Sequence, residues 1–341
     1  MSNNPMKVTM ISTLISGVLI SISSSSWFGA WMGLEINMLS FIPLMLNNKN
    51  IFTTEATLKY FIIQAMSSSL LLFIIMMKIL MKEMFSMEEN NISMMLVMTP
   101  LLLKSGAAPF HWWFPSVMEG LSWENCMLLM TMQKITPMML ISYTLKMNML
   151  SSMIILMSIT LGAIGGMNQT SIRKLLTYSS INHMGWMFSA MMINENIWVL
   201  YFMIYSTLTL TIVKIIKPFN TSFINQILLM NKDMNIMKFM MFSTILSMGG
   251  LPPFLGFLPK WIVIQYMMMN NMIMMVITMV MTSLLTLYYY LRMSYSSMMI
   301  IHIEPKWNNQ HFMNKKMMNT TMMFSLSTIG LLMCTMMINV F

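Results

Sequence analysis

Apolar residues run along the chain in stretches of about twenty, each closed by a short polar connection. A hydrocarbon core of about 30 Å needs about 20 apolar residues of α-helix to cross it. Measured that way, the pattern predicts eleven spans, at about 6–24, 26–46, 58–80, 92–112, 122–145, 148–167, 172–192, 195–217, 237–266, 270–293 and 319–341. They occupy most of the 341 residues, so the expectation is a single transmembrane domain over 1–341. The first stretch lies between Lys7 and the serines at 23–26 and has the outline of a secretory signal. It lacks a small-x-small cleavage site and ten more spans follow, so it reads as a helix.

Composition agrees with the pattern. Charged residues make up 9% of the chain and hydrophobic ones 57%, with a mean hydropathy of +0.69. Soluble domains carry about 25% charge. A soluble enzyme, a disordered chain and a disulfide scaffold are all excluded. The 56 methionines are spread through every span, which fits apolar packing and not a cluster of copper(I) thioether ligands.

The net charge of +9 is topological information. The basic residues are scattered singly, which excludes a nucleic-acid surface. With the spans alternating across the membrane, thirteen fall on the side of the N-terminus: Lys7, Lys49, Lys59, Arg173, Lys174, Lys214, Lys217, Lys232, Lys238, Arg292, Lys306, Lys315 and Lys316. Only Lys78, Lys82 and Lys146 fall on the other side. The positive-inside rule makes the richer face the inner one, and an odd span count puts the C-terminus outside.

No CxxC, HExxH, Walker loop or strand-linked GxGxxG occurs, and Cys126 and Cys334 sit in apolar runs without neighbouring ligands. The histidines, His111, His183, His302 and His311, have no metal-ligand spacing, so the chain offers no site for haem, an iron–sulfur cluster or a nucleotide. The chemistry lies in the charges that did not go to the ends. Glu35, Lys104, Lys134 and Lys260 fall within apolar runs. Each costs roughly 2.5–3.5 kcal/mol at that depth, and four together on the order of 10 kcal/mol before pairing. A static salt-bridge set would need equal numbers of each sign. Three lysines with one carboxylate fit groups that change protonation state, since burial and neighbouring charge tune a lysine's proton affinity.

The prolines coincide with these lysines. Pro137 follows Lys134 by three residues and removes the helical donor for the carbonyl of Gln133. Pro100 and Pro109 bracket Lys104, while Pro252, Pro253 and Pro259, with Gly249, Gly250 and Gly256, crowd the approach to Lys260. Broken helices at membrane depth are tolerated where the loosened backbone is buried in protein or lines water. A hydrated proton path is therefore preferred to simple kinks, and discontinuous midplane helices serve ion carriers in the same way. His183 is either a proton relay or a neutral core histidine bonded to a backbone carbonyl. His111, among Trp112 and Trp113, and the tyrosines at 288–290 beside Arg292 read as interfacial anchors, and Glu119, Glu124 and Glu195 as solvated.

Three strings resemble the antiporter-like membrane subunits of respiratory complex I: LLLKSGAAPFHWWFP (Leu101 to Pro115), GGMNQTSIRKLLTYSSINHMGW (Gly165 to Trp186) and GGLPPFLGFLPKW (Gly249 to Trp261). Their order, with WMGLEINMLSFIPL (Trp31 to Leu44) and TTEATLKYF (Thr53 to Phe61) ahead, is similar to the animal mitochondrial form, over about residues 26–292. The resemblance implies an all-α polytopic membrane protein of about eleven helices with broken helices, lacking the first three of the fourteen-helix form. It implies that Glu35 matches the family's glutamate, Lys104 the lysine of the first broken helix, Lys134 the central lysine and Lys260 the lysine of the second broken helix. It implies the mitochondrial inner membrane, with the N-terminus in the matrix and the C-terminus in the intermembrane space. Expected partners are other membrane-arm subunits, accessory subunits and lipids, with no nucleic acid and no soluble small-molecule substrate. NADH, FMN, iron–sulfur clusters and ubiquinone are expected in other subunits, with no cofactor bound by this chain.

The function so implied is proton translocation in a redox-driven pump: Glu35 sets the protonation of Lys104, whose charge shifts Lys134 and then Lys260. The alternatives are an autonomous cation/proton antiporter of the same fold, against which the missing three helices argue, and a structural spacer with no transport role.

Overall fold

Long apolar stretches give long helices, and the lysine-bearing ones come out in pieces. The computed structural model describes residues 5–46, 50–85, 91–219, 221–228, 235–252, 254–295 and Ser325. The span expected over 319–341 and nearly all of the connection over 294–318 lie outside the described residues, as do His302, His311, Cys334 and Pro253. What is described is almost wholly helical, and it divides into two compact units, Met1–Ser151 and Ser152–Phe341. Six helices among the described residues are long and apolar enough to cross a membrane.

In the first unit, α1 (Pro5–Ser23) and α2 (Trp27–Met45) are joined by three residues and pack along their length. Their glycines permit the close approach: a methyl group on Gly33 would stand 2.6 Å from the Ser21 amide nitrogen, and one on Gly17 would stand 2.9 Å from that of Asn37. Small residues at a crossing are the usual way to bring membrane helices together, because lipid gives no hydrophobic drive. The next helix, α3 (Ile51–Phe85), extends well beyond its expected span and packs on α2. Leu58, Phe61, Ile62, Met66, Leu70 and Phe73 recur at helical spacing on its exposed face. In water that face would be a liability, whereas lipid solvates it. Hydroxyls along the helices, such as Ser67 to Gln64 O at 2.7 Å and Ser40 to Asn37 O at 2.9 Å, donate to a carbonyl one turn back. They therefore need no partner from water.

The stretch expected as one span over 92–112 is α4 (Asn91–Ser105), a non-helical turn, and α5 (Trp113–Gly120). The helix stops where Gly106 takes φ +70°, the left-handed cap that glycine adopts without steric cost. Pro100 does not break α4. The carbonyl of Leu96, deprived of its amide partner, accepts the Thr99 hydroxyl at 2.9 Å. Likewise 122–145 is α6 (Trp123–Met130) and α7 (Met132–Thr144), which meet at Thr131, with φ −112° and ψ −77°. The sequence pointed to Pro137 for this break, yet Pro137 lies inside α7. The ring opposes the carbonyl one turn earlier, so the distortion falls N-terminal to the proline.

In the second unit, α8 (Met149–Met167) begins at its boundary, followed by α9 (Ile172–Ile193) and α10 (Glu195–Ile216). Beyond a 3-10 turn (Lys217–Phe219) and the short α11 (Ile224–Leu228), the stretch 237–266 is again two helices, α12 (Asn235–Gly249) and α13 (Phe257–Met269). Gly250, at φ +83°, ends the first of them. The last described helix is α14 (Ile273–Tyr295). Buried residues cover nearly every position of α9 from Leu175 to Met191, with α10 and α13 packed against it. A helix enclosed by protein can carry Ser179, Ser180, Asn182 and His183 without exposing them to lipid.

Candidate functional site

In the first unit the interrupted helices bring two lysines to one cavity. Lys104, in the last turn of α4, and Lys134, in the first turn of α7, are 7% and 2% exposed. Both line a cavity of about 20 Å³ together with Asn37, Tyr60, Gln64, Ser105, Gln133 and Thr136. One water needs roughly 10–15 Å³ on the same measure, so the space suits hydration. Among the described residues, the Nζ of Lys104 has no hydrogen-bond partner, and neither has the buried Oε2 of Glu35. Glu35 makes no direct ion pair with Lys104, though its charge acts on that ammonium. The Nζ of Lys134 stands 4.9 Å from the centre of the Phe114 ring, a cation–π contact supplied by α5.

The exposed backbone at the end of α4 is satisfied from neighbouring elements. Gln64 Nε2 donates to the Lys104 carbonyl at 3.2 Å and Trp113 Nε1 to that of Leu103 at 3.1 Å. The negative end of a helix dipole favours a cation, so the last turn of α4 is a suitable place for Lys104. A second polar thread crosses the cavity wall: Tyr60 donates to Gln133 Oε1 at 3.3 Å, and Gln133 Nε2 donates to Asn37 Oδ1 at 3.0 Å. The sequence reading missed Asn37, Tyr60, Gln64 and Gln133. Neutral amides inside apolar runs were the available signal, one two residues from Glu35 and one adjacent to Lys134.

The second unit holds Lys260 and His183. Lys260 projects from α13 across the interruption and donates to the Gly249 carbonyl at 2.8 Å, so it caps the C-terminal end of α12. Its Nζ lies 5.7 Å from the Trp186 ring centre. A methyl group on Gly250 would press on the same lysine side chain, 3.2 Å from Nζ. In each unit, then, a buried lysine sits at the C-terminal end of an interrupted helix. His183, 7% exposed, bonds the hydroxyl of Tyr201 at 2.9 Å through Nδ1.

Three interfacial readings change. His111 is 7% exposed, folded in against the Pro109 carbonyl at 3.3 Å, while its neighbour Trp112 faces outward. Tyr289 and Tyr290 are fully buried, and only Tyr288 of that trio is exposed. Successive helical residues point about 100° apart, so a run of tyrosines cannot share one environment.

Residues 24–286 match the family described as NADH:quinone oxidoreductase/Mrp antiporter, transmembrane. NADH-ubiquinone oxidoreductase chain 2 of Locusta migratoria is 48% identical over 335 residues, covering 98% of this chain and 97% of that one. The Aedes aegypti protein of the same name is 54% identical over 325 residues, covering 94% and 95%. The chain belongs to the NADH-ubiquinone oxidoreductase chain 2 family. As a chain 2 protein it is a multi-pass protein of the mitochondrial inner membrane and a subunit of a proton-translocating NADH–ubiquinone oxidoreductase. Its fold matches a chain of respiratory complex I from Thermus thermophilus with bound aureothin, with a TM-score of 0.83 at 19% identity, over 97% of this chain and 79% of that one. It also matches a chain of an archaeal membrane-bound sulfane sulfur reductase, with a TM-score of 0.82 at 15% identity, over 97% and 73%. The likeness to these chain 2 relatives and neighbours supports the antiporter-like fold with its interrupted helices.

Proposed function

We propose that this chain 2 protein moves protons through its own buried ionisable groups: Glu35, Lys104 and Lys134 in the first unit, His183 and Lys260 in the second. The observation that carries this reading is the shared cavity of Lys104 and Lys134, polar along one wall and large enough for water. An ammonium that gives up its proton there becomes a neutral amine that water can solvate and reprotonate. Glu35 favours the charged form of Lys104, so relocating charge near Glu35 releases that proton. A positive charge arriving on Lys104 disfavours one on Lys134 across the same cavity. Lys260 holds its proton against the Gly249 carbonyl until neighbouring charge displaces it.

The remaining assignments follow from the same reading. The charge asymmetry supports the N-terminus in the matrix and the C-terminus in the intermembrane space. Partners are other membrane-arm subunits, accessory subunits and lipids. NADH, FMN, iron–sulfur clusters and ubiquinone belong to those other subunits, so this chain contributes no redox step.

The test is NADH-driven proton release by the assembled complex carrying Lys104→Ala. The reading requires fewer protons per electron. An unchanged ratio rejects it. Sodium–proton exchange by the isolated chain in liposomes would instead support an autonomous antiporter.

A further inference from the structure

The start of α9 carries the wrong charges for a helix N-terminus. Its first turn holds Arg173 and Lys174 and no acidic residue. The positive end of a helix dipole disfavours cations and attracts anions. Ser171 stands at the N-cap position in the extended conformation of a capping serine, yet its hydroxyl makes no cap bond. Ser171 is 6% exposed, and among the described residues its hydroxyl has no hydrogen-bond partner. Thr221, also 6% exposed, has a hydroxyl in the same condition. Farther along α9, Ser179 and Ser180 satisfy theirs by donating to carbonyls one turn back. Ser171, ahead of the helix, has no such carbonyl to use.

Backbone bonds hold the two hydroxyls to one end of the unit. The Ile172 amide donates to the Ser222 carbonyl at 3.0 Å, and the Ile224 amide to the Thr170 carbonyl at 3.1 Å. They pair Ser171 with Phe223 in an antiparallel bridge, two residues beyond Thr221. The helices α9 and α10 pack together and meet at Asn194, so the start of the first lies at the same end as the close of the second. That close adds Lys214 and Lys217, both exposed. Among the described residues of this unit the one carboxylate is Glu195, at the opposite end of α10, while Asp233 and Glu304 lie outside them. Phe223 is 46% exposed beside this basic end.

We infer that the start of α9 binds the phosphate group of an anionic phospholipid. The hydroxyls of Ser171 and Thr221 donate to phosphate oxygens, and a buried hydroxyl with no partner is costly until it does. Arg173 offers a planar fork that matches two oxygens, and Lys174 adds a point charge. The helix dipole, unfavourable to both cations, then favours the ligand between them. A lipid is favoured over free phosphate by position: these residues close an apolar run at the level of the headgroups, and exposed Phe223 offers the acyl chains an apolar contact. Basic pockets between membrane helices take anionic headgroups in this way. The inference assigns a place on the chain to the lipid partners proposed above and stands whether or not the lysines carry protons.

The experiment places the assembled complex in phosphatidylcholine vesicles containing a photoactivatable phosphatidylglycerol whose reactive group lies beside its headgroup. Cross-links are mapped by peptide mass spectrometry and counted per assembled complex. Labelling is expected on 170–174 and 221–224, and unlabelled phosphatidylglycerol should displace it where phosphatidylcholine and inorganic phosphate do not. Each basic residue near a membrane surface contributes roughly fivefold, so Arg173→Gln combined with Lys174→Gln should lower labelling roughly 25-fold. Ser171→Ala keeps both cations and removes no cap bond, and it should lower labelling about tenfold, as loss of a hydrogen bond to a charged group does. Exposed Lys146→Gln, in the first unit, should leave it unchanged. Labelling that survives Ser171→Ala in full would reduce the site to diffuse attraction and overturn the inference. Displacement by inorganic phosphate would make it a free-phosphate site, and absence of labelling on these segments would leave no lipid site; either result also overturns it.

Discussion

The ammonium of Lys260 donates to the carbonyl of Gly249 at 2.8 Å, across the interruption between α12 and α13. A buried charge thus caps a buried helix end, and each satisfies the other. Lys260→Met retains the length of the side chain and removes the donor. A hydrogen bond to a charged group contributes about 1.5–3 kcal/mol, so the end of α12 should open more often. Hydrogen exchange at the amides of Gly249, Gly250 and Leu251 is expected to quicken by about tenfold or more. Unchanged exchange would mean that the cap contributes nothing to holding the break.

Glu35 and Lys104 act on one another through charge without touching, which a double-mutant cycle can isolate. Glu35→Gln and Lys104→Met are each expected to slow NADH-driven proton release. The double variant should be less impaired than the two effects multiplied, with a coupling of about 1 kcal/mol, roughly fivefold in rate. Strictly multiplicative effects would show that Glu35 does not set the state of Lys104.

The amide thread across the cavity makes a separate, structural prediction. Gln133→Leu leaves the Tyr60 hydroxyl and Asn37 Oδ1 without the partner each has now. An unsatisfied buried polar group costs about 1–3 kcal/mol, whereas Tyr60→Phe removes one long hydrogen bond for about 0.5–1.5 kcal/mol. Thermal denaturation of the solubilised complex should therefore rank Gln133→Leu below Tyr60→Phe.

The α1–α2 crossing depends on Gly33. Gly33→Ala would place its methyl group 2.6 Å from the Ser21 nitrogen and 2.8 Å from its Cα, so the α1 backbone must move. Overpacking of that kind costs about 1–3 kcal/mol. Gly29→Ala meets first the Ser24 side chain, at 3.0 Å, and should cost less. The melting temperatures of the two variants test this order.

Much of this arrangement could be read from the sequence because a buried charge is expensive. Glu35, Lys104, Lys134 and Lys260 stood out against apolar runs, and the fold places all four in its interior or at its margin. The glycines and prolines near three of them marked interrupted helices, although Thr131, and not Pro137, is where the chain bends. Neutral groups were harder to see. Asn37, Gln64 and Gln133 cost far less to bury than an ion, so nothing in a hydropathy pattern distinguishes a cavity wall from a packed helix face. The tyrosines were misplaced because aromatic residues beside Arg292 also suit a membrane interface. Only the packing of α14 on α12 and α13 separates Tyr289 and Tyr290 from exposed Tyr288.

The central claim is that the buried lysines carry protons, and Lys134 tests it most directly. Lys134 is 2% exposed and lines the cavity it shares with Lys104. Protons released per electron should be measured in sealed vesicles holding the assembled complex with Lys134→Ala, alongside NADH oxidation after the membrane is made leaky. The account predicts a lower proton-to-electron ratio in an assembled complex that still reduces ubiquinone. A ratio equal to that of the unaltered complex would contradict it.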